Sequence, residues 1–168
     1  RAVAGLPVDV LTADGRTIDP HDRPADPPEP RPTDGSGEPV GWDRVLVDAP
    51  CTGLGSLRRR PEARWRKTAG DLPPLTKLQR ELLAAALRVV RPGGVVAYVT
   101  CSPHPVETRV TVTETLRRVG HAELIDARAC LPAGLPDLGP GPTVQLWPHL
   151  HGTDAMFLAL LRRRPAGG

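Results

Sequence analysis

The chain has 168 residues, an apolar fraction of 39% and a formal charge of +3, which suits one domain with a core of its own and not a uniformly polybasic protein. Three cysteines without regular spacing argue against a disulfide framework and against a zinc site. No apolar run is long enough for a membrane span or an export signal, so reduced thiols and a cytoplasmic location with no membrane partner are expected. Aromatic residues make up only 3%, so the core has to come from Leu, Val and Ala, while 21 Pro and 17 Gly consign much of the chain to loops.

In chain order, Arg1-Ala2-Val3-Ala4-Gly5 reads as the tail of a helix already under way, and a longer parent protein is expected. Val8 to Gly15 alternates and stops at Asp14-Gly15, which predicts a short strand ending in a tight turn. Residues 17–41 are dominated by Pro, Asp, Glu, Gly and Arg and offer little to bury against the entropy cost of ordering; a disordered or loosely held insertion is expected. Asp43 to Asp48 reads as a strand whose apolar run ends at Asp48-Ala49-Pro50-Cys51. A second such run, Val95 to Ser102, ends at Thr100-Cys101-Ser102.

Between these two runs, Leu75, Leu78, Leu82, Leu83, Ala86, Leu87 and Val90 recur at helical spacing, with prolines at the expected start and Arg91-Pro92-Gly93-Gly94 as the closing turn. Strand, helix, strand in this order predicts two parallel neighbours whose ends emerge at one edge of an α/β sheet, where such folds bind ligands. Asp48, Cys51 and Cys101 are therefore expected in one crevice, with the strands about 5 Å apart. Val106 to Val119 reads as a further helix, Ala122 to Ala127 as a strand, Cys130 to Pro148 as a loop, and Ala155 to Leu161 as a last strand.

Arg58, Arg59, Arg60, Arg64, Arg66 and Lys67 crowd the segment after Cys51, with Trp65 among them. A basic cluster beside a reactive edge suits phosphate contact, and Trp65 suits either base stacking or core cover. Cys130 lies in a Pro-rich segment without a motif and reads as a bystander, as does His104; His149 and His151 lack a third ligand for a metal.

Asp48-Ala49-Pro50-Cys51 and Thr100-Cys101-Ser102, with Arg58-Arg59-Arg60-Pro61-Glu62-Ala63-Arg64-Trp65, Leu78-Gln79 and His151-Gly152-Thr153-Asp154-Ala155-Met156-Phe157, closely resemble the Sun/Fmu-type ribosomal RNA cytosine-5 methyltransferases. The resemblance implies an incomplete Rossmann-like class I fold, with S-adenosylmethionine as cofactor and RNA, most of all 16S ribosomal RNA, as substrate. It implies Cys101 as the nucleophile toward carbon 6 of cytosine and Cys51 as the second cysteine that helps release the product. It further implies Asp48 as the acid near the cofactor's methionine end and the cytosine edge, and Asp14 as the acid near its adenine.

Two family features are absent from the sequence: the glycine-rich loop of the first strand and the acid of the second. The chain thus reads as residues 1–168 of the C-terminal part of a catalytic domain, expected to bind S-adenosylmethionine poorly by itself and to be completed by an N-terminal part of the same protein. A transfer RNA substrate is the nearest variant. A non-catalytic RNA-binding module would keep the basic run but owe nothing to Cys101, and an adenine or guanine methyltransferase would be expected to carry Asn-Pro-Pro or a similar amide at the strand end.

Overall fold

The computed structural model describes residues 10–19 and 41–165. Its elements are β1 (Trp42–Asp48), α1 (Ala63–Arg66), α2 (Leu72–Val89), β2 (Val90–Thr100), α3 (Arg109–Val119), β3 (Ala122–Ile125), β4 (Val144–Gln145), α4 (Pro148–His151) and β5 (Phe157–Arg163). Across the sheet the order is β1-β2-β5-β3, with β4 also paired to β5. β1 and β2 run parallel, whereas β5 is antiparallel to both β2 and β3. The arrangement is a partial Rossmann-like α/β sheet, and the two cysteine-bearing runs are its adjacent parallel strands, as their pattern requires.

α2 forms where the sequence permits it. A reciprocal pair of hydrogen bonds between Thr68 and Asp71 caps the turn before it, and Pro73 and Pro74 occupy first-turn positions where a missing N–H costs nothing. Its Leu83, Ala86 and Leu87 are buried against Val96 and Tyr98 of β2 and Phe157, Ala159 and Leu161 of β5. The chain's one Tyr and one Phe meet there edge to face, ring centres 6.3 Å apart. α3 ends at Gly120, whose φ of 70° is the left-handed conformation that stops a helix.

Helices α2 and α3 cover one face of the sheet. The side chains that alternate with the buried ones, Leu46, Val95, Ala97 and Leu160 with Arg44 and Arg162 at the margins, line an open groove of about 540 Å³ on the other face. Leu46 there is 69% exposed.

Four expectations need correction or lie elsewhere. The described part of the expected first strand, Val10 to Gly15, is not strand; what forms is the turn at its end, where the Thr17 N–H donates to the Asp14 carbonyl at 2.9 Å. Alternation alone does not make a strand without a ladder partner. Arg91 to Gly94 is not a turn between helix and strand but a bulge within β2: pairing steps from Trp42↔Val90 to Arg44↔Val95, with Gly93 at φ 76°. Most of the expected insertion, residues 20–40, lies outside the described residues. The stretch expected as a loop before Pro148 holds the short strand β4, and Pro148 itself opens the single-turn helix α4.

Candidate active site at the paired strand ends

Asp48 is the last residue of β1 and stands opposite Val99 of β2. The Ala49 N–H still donates to the Val99 carbonyl at 2.9 Å, so the two strands leave the sheet together. Gly53, at φ 74°, turns the first loop back. The Gly55 N–H then donates to the Cys101 carbonyl, and the Ala155 N–H to the Gly55 carbonyl, each at 2.9 Å. A Cβ on Gly55 would fall 2.1 Å from the Ala155 oxygen and 2.8 Å from the Cys101 oxygen, so only glycine lets these three segments stack backbone to backbone.

This path brings the sulfurs of Cys51 and Cys101 to 3.2 Å, a contact in which either sulfur can donate. Both thiols are half-buried. Donation from Cys51 lowers the Cys101 thiol to about 6 against the opposing effects of burial and of Asp48 and Asp154. The same shared proton, together with burial and the nearby Glu107 charge, pushes Cys51 upward. The two shifts run in opposite directions and favour the thiolate on Cys101 and the proton on Cys51.

Beneath the sulfurs lies a buried polar cluster that motif reading missed. Glu107, 0% exposed, accepts from the Thr52 N–H at 2.8 Å and hydroxyl at 2.6 Å, from the Ser102 hydroxyl at 2.6 Å, and from the Gln79 amide at 3.1 Å. Gln79 also donates to the Pro50 carbonyl at 2.8 Å. The available signal was a hydroxyl residue directly after each cysteine, Thr52 and Ser102, requiring an acceptor below. His104 caps the turn leading to Glu107, its Nδ1 accepting from the Val106 N–H at 3.2 Å.

The basic run divides. Arg59 makes a two-pronged contact with Asp154, at 2.9 Å and 2.5 Å to Oδ2, and Arg58 stands 3.6 Å from the same carboxylate. Arg59 holds the Asp154 carboxyl below its ordinary range despite burial. These two arginines tie the first cysteine loop to the segment before β5. Arg60 and Lys67, by contrast, line a recess of about 350 Å³ with Asp48, Cys51, Ser56 and Cys101. Arg64, Trp65 and Arg66 lie exposed on α1, Trp65 at 83%. Among the described residues Arg60, Arg64, Arg66 and Lys67 have no ion pair.

Asp48 also borders a second, mostly apolar groove of about 220 Å³ formed by Gly15, Ile18, Val45, Val47, Leu82 and Ala86. A carboxylate acceptor at the mouth of an apolar slot fits an amino acid group joined to a flat ring system. Asp14 lies beside Gly15 in an exposed turn and is held well below the usual carboxylate range, at about 2, by the side chain and N–H of Arg16. Arg16 in turn reaches Glu81 of α2 at 3.2 Å. Asp14 is therefore not at the sulfur recess but on the α2 side. Cys130 is exposed and lines the open sheet face, and among the described residues no group of metal-ligating side chains occurs.

Residues 6–162 match the family model described as 16S rRNA methyltransferase RsmB/F. A candidate methyltransferase of Mycobacterium tuberculosis is 55% identical over 159 residues, covering 95% of this chain and 31% of its own length. Ribosomal RNA small subunit methyltransferase B of Vibrio cholerae is 34% identical, covering 73% of this chain and 26% of its own. The solved structure of NSun6 from Pyrococcus horikoshii with SFG, an analogue of S-adenosylmethionine, superposes with a TM-score of 0.62 at 31% identity, over 74% of this chain and 30% of that one. The chain thus spans about a third of the length of the curated relatives it matches.

Proposed function

The chain belongs to the 16S rRNA methyltransferase RsmB/F family, and on that premise we propose that it carries the cysteine pair of a methyltransferase acting on carbon 5 of a cytosine in RNA. The S-adenosylmethionine-dependent reaction on 16S ribosomal RNA is the reading that the site supports best. The observation that carries it is the 3.2 Å approach of Cys51 and Cys101 at the end of parallel strands, in a recess shared with Asp48, Arg60 and Lys67.

In this reading the Cys101 thiolate attacks carbon 6 of the cytosine. The S–C bond forms, and the electron pair of the 5,6 double bond makes carbon 5 nucleophilic. S-adenosylmethionine, when bound, supplies the electrophilic methyl group that carbon 5 takes up. Loss of the carbon 5 proton to solvent in the open recess re-forms the double bond and expels Cys101 as a thiolate, and a proton on the Cys51 sulfur, 3.2 Å away, stabilises that leaving group. Asp48 accepts from the cytosine's exocyclic amine or from the cofactor's amino group, and Asp14 is assigned to the adenosine side. Arg60, Arg64, Arg66 and Lys67 hold the RNA backbone, and Trp65 offers an exposed face to an unstacked base. Arg58 and Arg59, engaged by Asp154, contribute by shaping the loop.

Incubation of the protein with S-adenosylmethionine and 16S ribosomal RNA carrying 5-fluorocytosine is expected to give a denaturation-resistant protein–RNA adduct, lost in Cys101→Ala. Cys51→Ala is expected to accumulate an adduct even on unmodified RNA. RNA binding without an adduct in the wild-type protein would instead support a binding module. The 168 residues alone are expected to bind S-adenosylmethionine weakly, and tight binding in calorimetry would overturn that part of the reading.

A further inference from the structure

We propose that Glu107 is the positioning residue of this site: a buried carboxylate that fastens the residue after Cys51 and the residue after Cys101 to one acceptor, and so holds the two sulfurs face to face. The proposal rests on the reading of Cys101 as the nucleophile. Its foundation is geometric. Cys51 and Cys101 leave different strands, and the Gly55–Cys101 backbone hydrogen bond joins their loops without fixing how the residues around the sulfurs face each other. The groups that follow them, Thr52 and Ser102, converge on Glu107 Oε2 at 2.6 Å each. The Thr52 N–H and the Gln79 amide meet on Oε1 at 2.8 and 3.1 Å.

These donors match the lone pairs of an acceptor-only carboxylate, which no amide or hydroxyl can reproduce. Glu107 is itself fixed from behind: the buried Tyr98 hydroxyl donates to its carbonyl at 2.8 Å, and its own N–H donates to the His104 carbonyl at 3.0 Å. No ion pair reaches it among the described residues. Glu107 also pushes the Cys51 thiol upward, though less than the Cys101 contact and burial do. Holding the pair together and biasing which sulfur keeps the proton are two consequences of one placement. The other charged groups around the sulfurs are Asp48 at the end of β1, Asp154 with Arg59 before β5, and Arg60 and Lys67 at the rim.

The test is the pH dependence of iodoacetamide labelling of each cysteine, read by peptide mass spectrometry in the wild-type protein and in Glu107→Gln. In the wild type, Cys101 is expected to label with a midpoint near 6 while Cys51 stays unreactive. In Glu107→Gln the Cys101 midpoint rises toward that of an ordinary thiol and the Cys51-to-Cys101 labelling ratio increases at least about fivefold, with kcat for RNA methylation falling and KM for RNA unchanged. Thr52→Val and Ser102→Ala each remove one donor and are expected to shift the ratio partway, and Ser102→Ala combined with Glu107→Gln to be less than additive. If the labelling midpoint and ratio stay within twofold of wild type in these variants while only the melting temperature falls, Glu107 is a structural residue and the proposal fails. Because labelling needs neither RNA nor cofactor, that failure is distinct from a failure of the methyltransferase reading, which the fluorocytosine adduct decides.

Discussion

Gly55 shows how narrow the tolerances of the site are at the level of single atoms. One added methyl group would collide with the carbonyl of Ala155 and press on that of Cys101, and neither backbone can retreat without breaking the 2.9 Å hydrogen bonds that join them. Gly55→Ala is expected to cost about 3 kcal/mol of stability in denaturant unfolding and to slow Cys101 alkylation, since one of the carbonyls it displaces belongs to Cys101. That Asp48, Cys51 and Cys101 share one recess was legible from the primary structure because an apolar run ending in Asp48-Ala49-Pro50-Cys51 states both the strand and its exit. Glu107 was not legible: it lies 55 residues from Thr52 and 28 from Gln79, and the hydroxyls after the two cysteines ask for an acceptor without saying which residue supplies it. The contact between Asp154 and Arg59, 95 residues apart, was hidden for the same kind of reason.

At the scale of elements, α2 was readable from its three- and four-residue apolar spacing, and the structure buries Leu83, Ala86 and Leu87 as that spacing demands. The expected strand before Asp14 failed because alternation describes a surface and not a partner. The bulge at Arg91 to Gly94 was hidden for a related reason: Pro and Gly signal a break in regular backbone but not whether the ladder resumes on the far side. The sheet itself has one helix-covered face and one open face, and Leu46, Val95, Ala97 and Leu160 make the latter apolar. Self-association and binding of a hydrophobic dye are expected of the chain in solution. Leu46→Lys, at a position already 69% exposed, should reduce both in light scattering and fluorescence while leaving the melting temperature within a few degrees.

For the molecule as a whole, the modest net charge of +3 conceals an uneven distribution. Arg60 and Lys67 face the sulfur recess and Arg64 and Arg66 the adjacent surface, so the side that carries the recess is basic beyond what the total implies. RNA affinity should fall steeply with salt, and Arg60→Ala or Lys67→Ala should each reduce the slope of log affinity against log salt by about 0.7. An unchanged slope in both would place the RNA elsewhere. The strand order carries a different consequence. β5 follows every other described strand in the chain yet lies between β2 and β3 rather than at an edge, so within this sheet an inner strand is made after both of its neighbours. A ribosome must deliver Phe157 to Arg163 before β2 and β3 acquire their shared neighbour, and until then the nascent polypeptide exposes two unmated strand borders. Assembly of the described sheet is consequently a late, cooperative event of high contact order, closed by β5.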